Sequence, residues 1–255
     1  MSLSTGQCLT VVVTTANLTT LRDEVDALDK LLLAPVTSSP PDPLPLSERV
    51  GVRSYLLIGH AALEEFVESC FAEYVNDSLA LDENGRVDPG LYLSVLELRE
   101  DLEGQVKRDI RTPSALLEKV PGLYKSKICG PNNGVRRKNL MRLAQGAGLD
   151  WVQFESACEK LVVALDTIGS ERGRVAHTSA TPTPGQGVTA ELYPQNVREF
   201  VNNAMDELPS LVTYLNARPR TNRLPISPLK RYTLKLRAFG RWFSQSLETF
   251  PHWCD

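Results

Sequence analysis

The chain has 255 residues, of which 42% are hydrophobic and 23% charged. That is enough for one large or two small cores, which excludes wholesale disorder. No apolar run approaches the roughly 18 residues of a membrane-spanning helix. The apolar patch at Cys8–Val13 lacks the preceding basic residue of a secretory signal. The net charge of −3 hides a gradient: residues 1–124 hold 10 Lys+Arg against 20 Asp+Glu, residues 125–217 hold 10 against 9, and residues 218–255 hold 8 against 2. An acidic average therefore does not exclude a polyanion partner, because surfaces attract through local charge. The five cysteines (Cys8, Cys70, Cys129, Cys158, Cys254) are odd in number and share no C-x-x-C spacing. This is the usage of free thiols in a reducing cytoplasm rather than of a disulfide frame or zinc knuckle.

Apolar residues recur at helical steps almost throughout. Leu18, Leu21, Val25, Leu28 and Leu32 draw one stripe. A proline-rich connector (Pro40, Pro41, Pro43, Pro45) then forbids helix. Ser47 is expected to cap a long helix reaching about Val75, with Leu56, Ala61, Leu63, Phe66, Val67 and Phe71 buried on more than one side. Asp88-Pro89 and Thr112-Pro113 each offer a cap and a first-turn proline, predicting helices to about Leu102 and a short one after 113. Gly122, Gly130, Pro131 and Gly134 predict a loop over 122–135, followed by a short basic helix over 136–146. Asp150 caps the next segment, in which Trp151, Phe154, Cys158, Leu161, Leu165 and Ile168 keep the helical step. Thr178–Pro194 reads as loop, Asn196 to about Leu215 as an amphipathic helix, and 229–248 as a further one. With no β-alternation, the fold class is all-α: a bundle over 1–217 with long connecting loops, and a basic, aromatic extension over 218–255 packed on it.

The chain has no Gly-rich phosphate loop, H-E-x-x-H helix or G-x-S-x-G elbow. Its three histidines are His60, His177 and His252. His60, seven residues after Arg53, falls on an apolar helix and reads as a packed residue. The segment Ile168-Gly-Ser-Glu-Arg172-Gly-Arg-Val-Ala-His177-Thr places an arginine five residues before a histidine. Guanidinium forks onto phosphate, and imidazole moves protons near neutrality. Together they can cleave RNA without metal, since RNA carries its own nucleophile in the 2′-hydroxyl.

This segment resembles the HEPN superfamily (higher eukaryotes and prokaryotes nucleotide-binding), whose ribonuclease members carry Arg-x4–6-His near the end of a long helix. Arg172, Val175-Ala176-His177, the following loop and the returning helix keep that order. Leu56–Asn76 is similar to the opening, glutamate-rich helix of these domains, and Arg137–Asp150 to the linker helix of the RiboL-PSP-HEPN group. Gly173 stands where the family often carries Asn, Asp or His.

The resemblance implies a homodimeric endoribonuclease, a toxin or antiphage effector, that needs no cofactor and has no membrane role. Two Arg/His sets would share one cleft: His177 transfers the proton, and Arg172 offsets charge on the five-coordinate phosphorus. Glu171 and Arg174 are candidate supporting residues. Their plainer readings are solvated surface for Glu171 and a salt link to the acidic front half for Arg174. On an ideal helix, five steps set Arg172 and His177 about 140° apart. They converge only if the helix ends before His177 or a facing subunit completes the site. Arg136, Arg137, Lys138 and Arg142, with Lys125 and Lys127 across the Gly-Pro-Asn-Asn-Gly loop, are the candidate RNA contacts. Arg218–Arg241 adds eight cations interleaved with Tyr232, Phe239 and Trp242, a composition suited to single strands or to docking on the bundle. A second expectation is a catalytically silent HEPN bundle that dimerises or binds a nucleotide on behalf of a partner, such as an antitoxin or regulatory protein.

Overall fold

The computed structural model describes residues 15–38, 40, 42–79, 86–87, 113–177, 192–217 and 224–225. Within them the fold is all-α, with seven helices. Helix α1 (Thr15–Leu28) runs into a π turn at Asp29–Leu33, and α2 (Leu46–Ser78) is 33 residues long, about 50 Å. Helix α3 (Pro113–Tyr124) also ends in a π turn, Lys125–Cys129. The remaining helices are α4 (Arg137–Gly146), α5 (Trp151–Ala157), α6 (Glu159–Ala176) and α7 (Pro194–Ala217). Among the described residues, none of these is long and apolar enough to cross a membrane.

Helices α2, α6 and α7 pack on one another at the centre, and α1 lies along α2. Helix α4 bridges α2 and α6, while α5 wedges between α6 and α7. The core is the one the helical step draws, except that Ala61 faces solvent: Leu56, Leu63, Val67 and Phe71 of α2 meet Leu161, Leu165 and Ile168 of α6 and Val201, Leu208 and Leu211 of α7. Each such side chain, when buried, contributes about 1.5–3 kcal/mol. Helices α2 and α7 approach closely at Gly59, where a Cβ would come within 3.3 Å of Val201 Cγ2.

Some expectations are corrected. Helix α2 starts at Leu46 with Pro45 in the cap position, so Ser47 lies inside the first turn. Glu48 receives the Thr37 and Ser38 amides there, at 3.2 and 3.1 Å. The loop predicted over 122–135 is helical as far as Cys129: Val120, Tyr124 and Cys129 are buried, and the Tyr124 hydroxyl donates to the Leu143 carbonyl at 2.8 Å. Here packing overrides the turn propensity of Gly122.

The segment after Asp150 is two helices, broken at Cys158 (φ −119°, ψ 30°). The break lets the Phe154 ring contact Phe71, Trp151 and Tyr214, with centroids 5.4–5.7 Å apart. Asp150 caps as expected, accepting from the Gln153 amide at 2.9 Å. A two-residue antiparallel ladder, unsuspected from the sequence, pairs Arg86–Val87 with Leu224–Pro225. The helices expected after Asp88 and over 229–248 lie outside the described residues.

Candidate active site

Helices α2 and α6 run antiparallel. Early in α2, Arg53 Nη2 donates to the Val175 carbonyl of α6 at 3.0 Å. Two turns later on α2, buried His60 sits close enough to feel the charge of Arg172. Arg136, at the start of α4, lies across Gly169, one turn further back along α6: a Cβ on Gly169 would fall 2.7 Å from Arg136 Cγ.

Helix α6 ends at Ala176. His177 follows with φ −99° and ψ 2°, its backbone N–H directed at the Val175 carbonyl and its side chain exposed. His177 thus stands just past the regular spiral, on which five steps would set it about 140° from Arg172. Arg172 is half-buried on the last full turns. Gly173 opens to empty space: a Cβ there would meet nothing within 4 Å.

Both supporting candidates flank Arg172 on the same helix. Arg174 donates from Nε and Nη2 to Glu171 Oε2, at 2.9 and 2.8 Å. Among the described residues, one acid that Arg174 meets is thus on its own helix. The Arg53 guanidinium lies near Arg174 and Arg49, and burial together with these two charges lowers its pKa.

His60 is only 2% exposed. Burial, helped by the charge of Arg172, pushes its pKa down to about 4, so the ring is neutral near pH 7. Below it, the loop before α4 is clamped to α2. Glu64 accepts the Gly134 amide and lies 3.8 Å from His60 Nδ1. Asn132 Nδ2 donates to Glu68 at 2.8 Å and to the Gly134 carbonyl at 2.9 Å, and Asn139 donates to Asn132 at 3.1 Å. Burial raises the Glu68 pKa against the Asn132 bond. Asn139 Oδ1 is buried with no hydrogen-bond partner. Gly134 has φ +121°, which a side chain resists.

The sequence assigned His60 to packing, and it is packed. Its nearness to Arg172 was not readable, because 112 positions separate the two and only tertiary contact joins them. The same holds for the Arg53–Val175 bond.

The candidate RNA contacts divide. Arg136 Nε lies 3.5 Å from Asp166 Oδ1. Arg137 forks onto Glu155 and sits over the Trp151 ring, 5.7 Å from its centroid. Arg142 donates to the Lys127 and Pro131 carbonyls at 3.0 and 3.4 Å, and Lys138 is exposed. A groove of about 570 Å³ lies elsewhere, on the outer side of α5 and α6, with Arg137, Val152, Glu155, Val163 and Asp166 in its walls. Neither Arg172 nor His177 lines it. Among the described residues, no three His, Cys, Asp or Glu side chains are grouped to hold a metal ion. The basic stretch Arg218–Arg241 lies outside them except for 224–225. Comparison with protein-family models, curated proteins and solved structures finds no match to this chain.

Proposed function

We infer that the chain is a cytoplasmic endoribonuclease of HEPN type that works without metal, as a homodimer, with Arg172 and His177 in its cleft. The end of α6 between these two residues carries the reading. Helix α6 stops at Ala176, with Arg172 on it and His177 past it, which supports one of the two ways, the other being a facing subunit, in which the pair could address one phosphate. In this reading His177 takes the 2′-hydroxyl proton or gives one to the leaving 5′-oxygen. The attacking 2′-oxygen forms the new P–O bond as the bond to the 5′-oxygen breaks, leaving a 2′,3′-cyclic phosphate and a 5′-hydroxyl. Arg172 offsets the charge that builds on the phosphoryl oxygens. Such an enzyme needs restraint, and a toxin or antiphage effector held by a partner protein fits that requirement.

The experiment is incubation of the purified full chain with RNA in EDTA, with the end groups identified. Wild type is expected to cleave, and His177→Ala and Arg172→Ala each to lose about 10²-fold or more. Cleavage that disappears in EDTA, or survives both substitutions, overturns the proposal.

One observation favours a second reading, a silent HEPN bundle that dimerises or binds a nucleotide for a partner. Where the resemblance leads one to expect a polar side chain, Gly173 leaves open space. Wild-type protein that never cleaves RNA but co-purifies with a nucleotide or a second protein selects this reading.

A further inference from the structure

Four cations gather at the corner between α3 and α4. Lys125 and Lys127 belong to the π turn that ends α3, while Lys138 and Arg142 lie one turn apart on α4. All four are exposed. Arg142 ties the two elements together through its bonds to the Lys127 and Pro131 carbonyls. Among the described residues no carboxylate forms an ion pair with any of the four. The nearby Glu68 is hydrogen-bonded to Asn132. By contrast, Arg136 and Arg137 are committed to Asp166 and Glu155. The basic segment therefore sorts into two exposed arginines paired with carboxylates and a patch without such partners among the described residues, whose like charges repel one another until a polyanion arrives.

We propose that Lys125, Lys127, Lys138 and Arg142 bind the phosphate backbone of single-stranded RNA beside the cleavage site. This deepens the ribonuclease reading and rests on it for the identity of the ligand. The patch shares the α2 surface with that site: Asn132, in the loop that Arg142 holds, bonds Glu68, eight residues and about 12 Å along α2 from His60, which feels the charge of Arg172. The surroundings favour a nucleic acid over an acidic protein. A protein interface needs buried apolar anchors, yet among the described residues the exposed large hydrophobic ones are Leu31, Leu46, Val50, Ile58, Val152 and Val163, none of them between α3 and α4. Lysines acting as mobile point charges suit phosphates that follow no fixed geometry.

The test measures binding of a fluorescent single-stranded RNA to full-length His177→Ala protein across a salt series. Its comparison is the same protein carrying Lys125→Gln, Lys127→Gln and Lys138→Gln. Arg142 is left in place because it holds the loop. Each lost phosphate contact lowers the slope of log K against log salt by about 0.7, so the triple variant should lose about 2 in slope. A control with Arg137→Gln and Glu155→Gln should keep the slope. An unchanged slope in the triple variant, an equal fall in the control, or tighter lysine-dependent binding of polyglutamate than of RNA overturns the proposal. A wild type that binds RNA with this slope but never cleaves defeats the nuclease reading and leaves the patch standing. A wild type that cleaves while the slope ignores the lysines does the reverse.

Discussion

Arg53 on α2 donates from Nη2 to the backbone carbonyl of Val175, 3.0 Å away, and so closes the last turn of α6 from outside that helix. Helix C-termini leave carbonyls without intrahelical donors, and a cation there also meets the negative end of the helix dipole. This bond sits two residues before His177, so it stabilises the turn from which the imidazole emerges.

Removing this anchor should loosen the end of α6 without unfolding the bundle. Arg53→Ala is expected to cost about 1–2 kcal/mol in urea denaturation. It should also speed amide hydrogen exchange over residues 173–177 more than in α7. Arg53→Lys should recover part of both effects. Uniform exchange in Arg53→Ala would show that the bond does not hold this turn.

Two glycines of α6 should respond oppositely to alanine. At Gly173 the added methyl meets open space, so helix propensity alone acts, and Gly173→Ala should stabilise by about 0.5–1 kcal/mol. At Gly169 it would lie 2.7 Å from Arg136 Cγ, which must swing away from Asp166. Gly169→Ala should therefore destabilise wild type but stabilise an Arg136→Ala background. A double-mutant cycle with no coupling would remove the steric contact from the account.

His60 gives stability a pH dependence of known sign. Its folded pKa is about 4 against an ordinary 6.5, so between these values the unfolded chain binds more protons. Stability is then complete above about pH 6.5 and is lost as the pH falls towards 4. The total is roughly 3 kcal/mol. Urea midpoints across that range should fall more steeply for wild type than for His60→Gln. Parallel profiles would place the imidazole in water rather than in the core.

The buried thiols should be inert in the native protein. Burial pushes Cys70 up to about 12 and Cys129 and Cys158 up to about 11, far from the thiolate form that reacts. Iodoacetamide followed by peptide mapping should leave all three unmodified at neutral pH and label them in urea. Labelling of any of the three in folded protein would mean that its helix opens locally.

What the sequence disclosed was what periodicity and capping chemistry encode. The stripes of α1, α6 and α7, the Asp150 cap and the first-turn proline of α3 were all legible, because each depends on neighbours a few positions away. The break at Cys158 was not, since it answers to the aromatic contact of Phe154 with Tyr214, sixty residues on. Residues 122–129 were misassigned because Gly122 suggests a turn, while Tyr124 and Cys129 find a buried face only when α2 and α4 are in place. At the candidate site the sequence offered Arg172 and His177 as a pair and the basic segment as one block. It could not show that Arg136 and Arg137 spend their charge on Asp166 and Glu155, nor that His60 and Arg53 come up against α6.

The clamp beneath His60 also supplies a key for finding distant kin. A histidine followed at four and eight positions by Glu64 and Glu68, matched far downstream by Asn132-x-Gly134, is a pattern set by the grip of one helix on one loop. Gly134, at φ +121°, admits almost no substitute. Sequences that share this grip should keep these few letters at these intervals even where the rest has drifted.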